Sequence, residues 1–425
     1  MQLFLLVCKL VAEDELFMRK NYLLWLLLIC ICCSLSCVKP FSPAVTTTNY
    51  NYLVVEGLIN LTDSTIIKLS RTVTVGAANA NKPELKAIVT VESSTGASYA
   101  LKEVGNGLYA TPSLNLSVAN QYRLRVKTSN GSTYLSDFVT SLPSPPIDSV
   151  SWTATTNLNI SVSTHDPNNA THYYRWAYSE EWEFYSDYDS GWITNGLDIV
   201  ARTAAQMVHH CYGGDTSNLI LLGTSAGLSR DVIDQQLINT VVASSEKLGV
   251  KYSMQVKQYA LTKDAYDYWT LLKKNTEDLG SIFDAQPSAS IGNIHNVNNA
   301  AEPVIGYVSA GTISASKHIF IAKTQLPGNW VTTPAYPITF TQCELDTVKY
   351  IIPCNFPYCT PEYPQFEYID YLRPQFQGFP KIKIPVMPLA TVSPTPVPNP
   401  DFLAAKPICV DCTLRGSTNK PSYWQ

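Results

Sequence analysis

Short stretches in which apolar and polar residues alternate recur along the first third of the chain. Tyr122, Leu124 and Val126 alternate with charged residues, and residues 129–131 follow as a Ser-Asn-Gly turn. A period of two is typical of a strand with one buried face. Similar segments occur at 52–57, 65–69, 87–92, 98–101, 108–110 and 134–136. Short strands at near-regular spacing predict a β-sandwich over residues 52–142.

A proline-rich linker at residues 143–148 follows, and we place a domain boundary there. Closely spaced prolines stiffen such a connection. Strand-like segments resume at 149–152, 158–163 and 173–178, in an order that resembles the opening strands of fibronectin-type or immunoglobulin-like sandwiches. The predicted fold class is therefore mainly β, with two Ig/fibronectin-like β-sandwich domains, the second spanning residues 149–378.

The pattern changes toward helix over about residues 199–300. Ser229 is placed to cap a helix that runs to Ile238, and Thr262 to cap a longer one in which Tyr266 and Trp269 recur at helical spacing. Apolar residues 219–222 and the alternating residues 251–258 are typical of strands. These features predict a helical insertion in the second sandwich.

Residues 379–425 are predicted to form a proline-rich strap. Eight prolines lie between Pro380 and Pro407, which disfavours regular structure, and a C-x-x-C motif follows at Cys409 and Cys412. Six of the 11 cysteines lie after Cys37: Cys211, Cys343, Cys354, Cys359, Cys409 and Cys412. An even number in an exported chain predicts disulfides, and six cysteines allow 15 connectivities. A four-thiolate zinc site built from the last four is the less favoured alternative.

The N-terminal region has the pattern of a bacterial lipoprotein signal. Arg19 and Lys20 precede an apolar run, and a Ser-Leu-Ser sequence ends at Cys37. We predict a signal peptide at residues 18–36, lipidation of Cys37 and a tether at residues 37–51. The apolar run is shorter than the roughly 20 residues of a membrane-spanning helix, which disfavours a plain transmembrane anchor.

Residues 1–17 include the acidic residues Glu13, Asp14 and Glu15, which are foreign to a signal peptide. We therefore expect that translation starts at Met18 and that residues 1–17 are an over-called start. Net charge is −4 and only 15% of residues are charged, so neither nucleic acid nor an anionic membrane surface is an expected partner. The lipid on Cys37 would hold the protein to a membrane.

One pentapeptide has the form of a nucleophile elbow. Residues 223–227 read Gly-Thr-Ser-Ala-Gly and lie between an apolar strand and a predicted helix, where Ser225 could be a nucleophile. His295 and His318 are candidate bases and Asp284 a candidate orienting group. Such an elbow belongs in a parallel sheet, whereas the upstream pattern predicts antiparallel strands. A strand and a turn without chemistry is therefore the favoured interpretation.

Two further clusters have candidate binding chemistry. The acidic stretch Glu180–Asp189 is interleaved with aromatic residues and could form a glycosidase-like or calcium-binding loop, although aromatic packing in the core is favoured. His209, His210 and Cys211 are adjacent, but neighbouring side chains of an extended chain point to opposite faces. We therefore predict no metal site, no catalytic residue and no cofactor.

Several segments match a known family. They are residues 173–178, 182–184, 229–233, 256–262, 268–269, 292–296, 302–307, 409–416 and 423–424. Over nearly the whole chain after Cys37, the sequence resembles the Bacteroidota lipoproteins grouped as domain of unknown function 4249. The resemblance implies an outer-membrane accessory lipoprotein of a kind often encoded near TonB-dependent receptors, and it supplies no catalytic or binding residues.

Together these features predict a membrane-anchored, non-catalytic binding or accessory protein associated with a TonB-dependent receptor in the cell envelope. The sequence does not identify its ligand. Acidic residues often follow the lipidated cysteine of surface-exposed lipoproteins in this phylum, and residues 38–43 contain none, so the face of the outer membrane stays open. The alternative function is a surface hydrolase that uses Ser225 or the carboxylates of Glu180–Asp189.

Overall fold

The computed structural model of the 425-residue chain describes residues 51–73, 82–195, 198–277, 292–334, 343–348, 384–388 and 402–424. Several predictions fall outside these residues: the start at 1–17, the signal at 18–36, Cys37 and most of the tether, Asp284, Cys354, Cys359 and most prolines of the strap. Strands predominate in the described part of the chain, which confirms the mainly β fold class.

The first sheet contains eleven strands, numbered here in chain order. They are β1 Leu53–Asn60, β2 Thr65–Arg71, β3 Lys82–Pro83, β4 Ile88–Ser93, β5 Ser98–Gly105, β6 Leu108–Thr111, β7 Gln121–Lys127, β8 Thr133–Ser136, β9 Val139–Leu142, β19 Ile294–Asn296 and β20 Ser309–Gly311. The predicted segments of the first domain thus correspond to strands. Alternate residues point inward, as in β7, where Tyr122, Leu124 and Val126 are buried.

Eight of these strands close into a ring, in the order β7-β4-β5-β6-β2-β1-β20-β9, because β9 also pairs with β7. The ring is completed by β20, which lies parallel between β1 and β9. This closure differs from an open sandwich made by residues 52–142 alone. The closing strand β20 thus comes from a segment late in the chain. Strand β19 extends the sheet beyond β8.

Two further sheets pack face to face in the second half of the chain. One contains β10 Ile147–Ala154, β11 Asn157–His165 and β17 Val232–Val242. The other contains β12 Tyr173–Tyr185, β15 His210–Thr216, β16 Leu221–Thr224, β18 Lys251–Leu261, β21 Ile313–Ala315 and β22 Ile319–Ala322. Their facing side chains form one buried cluster, with Trp176 and Tyr252 fully enclosed.

The helical insertion predicted over about residues 199–300 is wrong for most of its length. Residues 230–238, predicted as a helix, lie largely in β17. Two register shifts in the β11–β17 ladder place the buried residues at Ile233, Ile238 and Val241, and this spacing imitates a helical face. The β-branched residues of this segment favour the strand.

One helix of this region is confirmed. Helix α1, Lys263–Thr276, begins after Thr262, whose Oγ1 accepts a hydrogen bond from the Ala265 amide at 3.2 Å. Asp264 lies in its first turn and two lysines lie in its last, which suits the helix dipole. Its buried residues, Ala265 and Tyr268, pack α1 beside the outer side of β12 and β18.

The remaining elements are short. They are the hairpin β13 Trp192–Asn195 and β14 Asp198–Ala201, the small sheet of β23 Asp346–Val348, β24 Ile384–Pro388 and β25 Phe402–Ala405, helix α2 Pro407–Val410, and 3-10 turns at Ala204–Gln206, Glu246–Leu248, Lys323–Gln325 and Cys412–Leu414. The described part of the chain contains no helix with the length and apolarity of a membrane span.

Candidate functional site

A cavity of about 560 Å³ lies where β1 of the closed sheet faces α1 and the strands β12 and β18. We call it the Arg175 cavity. Its volume is in the range of small-molecule sites, about 300–1,000 Å³. Apolar side chains supply much of its wall, including those of Leu58, Ile66, Leu272 and Ile313.

The guanidinium of Arg175 is the only positively charged group that lines this cavity among the described residues. Arg175 lies in β12, directly opposite Tyr259 of β18. The guanidinium carbon is 4.2 Å from the ring centroid of Tyr259 and 4.5 Å from that of Trp269 on α1. Two aromatic rings therefore hold this cation by cation–π contact.

Arg175 has few polar partners. Its Nε is buried and has no hydrogen-bond partner, and no carboxylate of the described residues forms an ion pair with it. Burial lowers the pKa of Arg175, and the electrostatic interaction and hydrogen bond with the Tyr259 side chain oppose that shift only in part. A buried cation without an anion is costly to hold, so the cavity is electrostatically prepared for a negative group.

The opposite wall depends on two close backbone approaches. Gly306 has a φ of +136°, and a Cβ there would lie 2.1 Å from the Val55 carbonyl oxygen. This approach allows the Val55 amide to donate to Ile305 O at 2.8 Å. Gly57, with a φ of +146°, would likewise place a Cβ 2.5 Å from Ile66 O. Side chains at either glycine are thus excluded from this wall.

Tyrosines and one acid complete the surroundings. Tyr268 packs on Tyr307 with ring centroids 5.4 Å apart, and burial raises the pKa of Tyr268 to about 12, so both rings present neutral surfaces at neutral pH. Glu56, the acid on the cavity wall, is exposed and pairs with Lys68 at 3.0 Å. A second recess of about 480 Å³ shares Trp269 and Leu272 with the Arg175 cavity.

Ser225 lies in the turn after β16, and the helix expected after it is absent. Its hydroxyl is fully buried and donates to Asp231 Oδ1, while His172 Nδ1 lies 3.2 Å from Ser225 Oγ. Because the hydroxyl proton is directed to Asp231, His172 acts as the donor to Ser225. A general base for a serine nucleophile would have to accept that proton.

The same carboxylate serves a buried network. Asp231 Oδ2 accepts hydrogen bonds from the Tyr174 hydroxyl and from the Asp166 amide, the latter at 2.7 Å. Burial and then the hydrogen bond to Asp231 raise the pKa of Tyr174. This arrangement stabilises the turns around Ser225 as a fully bonded polar cluster.

The histidines predicted as bases lie elsewhere. His295 pairs with Leu135 at the edge strand β19, and its Nε2 is 3.6 Å from Asp137 Oδ1. His318 stacks on Tyr423 with ring centroids 3.7 Å apart. Neither hydrogen-bonds to Ser225. The histidine beside Ser225 is His172, which precedes β12 and was not among the predicted bases.

The acidic stretch Glu180–Asp189 begins in β12, where Glu180 and Glu183 lie on opposite faces, and its two aspartates, Asp187 and Asp189, follow the strand. Glu180 is buried, where it accepts hydrogen bonds from the Tyr252 hydroxyl at 2.6 Å and from the Lys247 ammonium. Glu183 lies 2.6 Å from His210 Nε2. These carboxylates therefore pair with groups of their own chain rather than face a common cleft.

Two disulfides confirm the predicted bonding for four of the six cysteines. Cys211 pairs with Cys412, and Cys343 pairs with Cys409. The two cysteines of the C-x-x-C motif thus bond to different partners, which removes both from the four-thiolate zinc alternative. Asp187 lies near the Cys343–Cys409 bond, but sulfurs in a disulfide are not thiolate ligands.

The residues of the Arg175 cavity were not predicted as a site. The available signal was a single arginine within the aromatic strand sequence Tyr-Tyr-Arg-Trp-Ala-Tyr of residues 173–178. A charged residue in the middle of a strand with aromatic neighbours lies either at an exposed sheet edge or in the wall of a cavity. Only the position of α1 over β12 distinguishes the two.

The sequence matches a known family model. The model described as Domain of unknown function (DUF4249) matches residues 38–317, which include the Arg175 cavity and the closing strand β20. Comparison with curated proteins gives no match.

Proposed function

The chain belongs to the DUF4249 family, and from that premise we propose that it is a lipoprotein anchored through Cys37 in the outer membrane of the cell envelope. In this proposal it is a non-catalytic binding or accessory protein that acts beside a TonB-dependent receptor. An immunoglobulin-like topology for the two facing sheets of the second half is part of the same proposal.

The Arg175 cavity is the observation that carries the binding function. It has the volume of a small-molecule site, an aromatic and aliphatic wall, and one buried cation without an anionic partner among the described residues. Ligand sites commonly combine an apolar wall with a few fixed polar groups in this way. Among the described residues that line the cavity, Ser64 is the one serine, and there is no cysteine or histidine.

An affinity pull-down tests the accessory role. The tagged full-length protein is extracted from membranes and its partners are identified by mass spectrometry, with Cys37→Ala as the control that lacks the anchor. We expect stoichiometric recovery of a TonB-dependent receptor with the unmodified protein and much less with the variant. Equal recovery by both, or recovery of no receptor, would contradict the proposal.

A surface hydrolase that uses Ser225 is the second candidate, because His172 Nδ1 lies 3.2 Å from its hydroxyl. The burial of Ser225 and its bond to Asp231 weigh against it. Hydrolysis of p-nitrophenyl acetate by the unmodified protein and by Ser225→Ala distinguishes the two functions. Loss of a saturable activity in the variant would support the hydrolase, whereas equal slow rates support the binding protein. In the Glu180–Asp189 stretch, Glu180 and Glu183 are paired within the chain, so these carboxylates receive no such support.

A further inference from the structure

We propose that the Arg175 cavity binds a monocarboxylate with an apolar body, and that the carboxylate accepts hydrogen bonds from the guanidinium of Arg175. This inference rests on the proposed binding function and names the class of ligand. The carboxylate could belong to a free acid or to the C-terminus of a peptide, since both present the same group.

The need for an anion follows from the state of Arg175. Its Nε is buried and without a hydrogen-bond partner, whereas buried polar atoms in proteins are nearly always paired. Tyr259 and Trp269 stack on the guanidinium, and its N–H groups lie in its own plane. A planar carboxylate that approaches in this plane can accept two parallel hydrogen bonds.

Other arginines of the chain show what is missing here. Arg71 is also buried and also stands by an aromatic ring, yet its Nε donates to Glu84 at 2.6 Å. Arg123 stacks on Phe138, and its Nε donates to Glu92 at 2.7 Å. In both, a carboxylate balances the charge of the guanidinium, whereas no carboxylate of the described residues does so at Arg175. The ligand would supply that carboxylate.

The charges favour a monoanion over a phosphate group. Arg175 is the single cation among the described residues of the wall, and the acid of that wall, Glu56, is paired with Lys68. Phosphate sites usually combine several cations or backbone amides to balance two charges. One guanidinium facing an apolar enclosure matches a carboxylate with one negative charge.

The wall determines the rest of the ligand. Leu58, Leu272 and Ile313 provide aliphatic surface, and Trp269 and Tyr307 provide aromatic faces. A body of hydrocarbon or aromatic rings would displace water from these groups, and that burial is favourable. A highly hydrated body such as a sugar acid would leave many of its hydroxyl groups without partners, because Asn60, Ser64 and Glu56 are the few non-aromatic polar side chains that the described wall has beside Arg175.

Isothermal titration calorimetry of the full-length protein in lipid nanodiscs tests the inference. The probes are 4-phenylbutyrate, 4-phenylbutanamide and inorganic phosphate, with a peptide ending in a free phenylalanine carboxylate as a parallel arm. We expect the acid to bind about 10- to 100-fold more tightly than the amide, because a charged hydrogen-bond pair is lost in the amide. Tighter binding of the peptide would identify a chain terminus as the source of the carboxylate, and tighter binding of the acid a free molecule.

Two variants complete the test, Arg175→Met and the control Arg123→Met. Arg175→Met should weaken binding of the acid by the same 10- to 100-fold and leave binding of the amide unchanged, whereas Arg123→Met should bind all probes as the unmodified protein does. Equal binding of the acid by Arg175→Met, tighter binding of phosphate than of either carboxylate, or no carboxylate binding at millimolar concentration would overturn the inference. The receptor pull-down is measured independently of these titrations, so a failure of the accessory role and a failure of the proposed ligand class are distinguishable.

Discussion

Arg175→Met removes one buried positive charge and keeps an unbranched side chain against Tyr259 and Trp269. The change loses two cation–π contacts, each worth about 0.5–2 kcal/mol depending on how far the cation is desolvated. It also removes a desolvation cost of several kcal/mol for a cation that has no anionic partner among the described residues. We therefore expect the ligand-free protein to be unchanged or stabilised by up to about 2 kcal/mol.

Chemical denaturation of the ligand-free protein, followed by fluorescence, measures this free energy of unfolding. Arg71→Met is the matched control, because Arg71 is buried with its partner Glu84 at 2.6 Å. Breaking a buried ion pair typically costs about 3–5 kcal/mol, since the remaining carboxylate has no partner. Similar destabilisation by Arg175→Met would show that the guanidinium is structurally paired and would refute the view that it is held ready for a ligand.

Three further predictions concern the framework around the site. Gly306→Ala should destabilise the protein by more than about 2 kcal/mol and weaken ligand binding, because its Cβ would lie 2.1 Å from Val55 O at a φ of +136°. Gly227→Ala, which has open space at its Cβ, should change the free energy of unfolding by less than about 0.5 kcal/mol. Equal effects of the two variants in denaturant titrations would contradict this prediction. Cys412→Ser should lower the free energy of unfolding by up to about 5 kcal/mol, because the lost bond closes a loop of sequence separation 201, and a melting temperature as high as that of the unmodified protein would be the contrary result. Burial lowers the pKa of His318, so the unfolded chain binds more protons than the folded one and stability should fall as the pH drops below about 6.5. His318→Phe, which can still stack on Tyr423, should lose less of its melting temperature across this pH range. An identical pH dependence of the two proteins would refute the role of His318.

Local patterns predict the strands of the closed sheet and the start of α1 well. Alternation in residues 121–127 corresponds to β7, and Thr262 caps the helix that its position predicts. Each depends on neighbouring residues alone. The helix predicted over residues 230–238 fails because the register shifts of β17 arise from its pairing with β11. Periodicity within one segment cannot report a bulge that a partner strand imposes.

The cavity depends on contacts between distant segments, so the sequence alone does not reveal it. Arg175 meets Tyr259 through the β12–β18 register and Trp269 through the placement of α1. The far wall comes from β1 and from residues 305–307. Ser225, which a short motif singles out, lies instead in a closed polar cluster with Asp231. Motif spacing identified a turn, and the surrounding fold determines its chemistry.

The completion of the first sheet by β20, Ser309–Gly311, makes the N-terminal half dependent on a segment that emerges late in synthesis. Until that segment arrives, β1 and β9 each present an open edge to other chains, which is a known route to aggregation. Residues 305–307 immediately precede β20 and form part of the wall of the Arg175 cavity. A nascent or truncated chain that ends before residue 305 therefore has neither a closed sheet nor a complete cavity. Ligand binding would itself report that synthesis has passed this segment and that the segment has paired with β1 and β9.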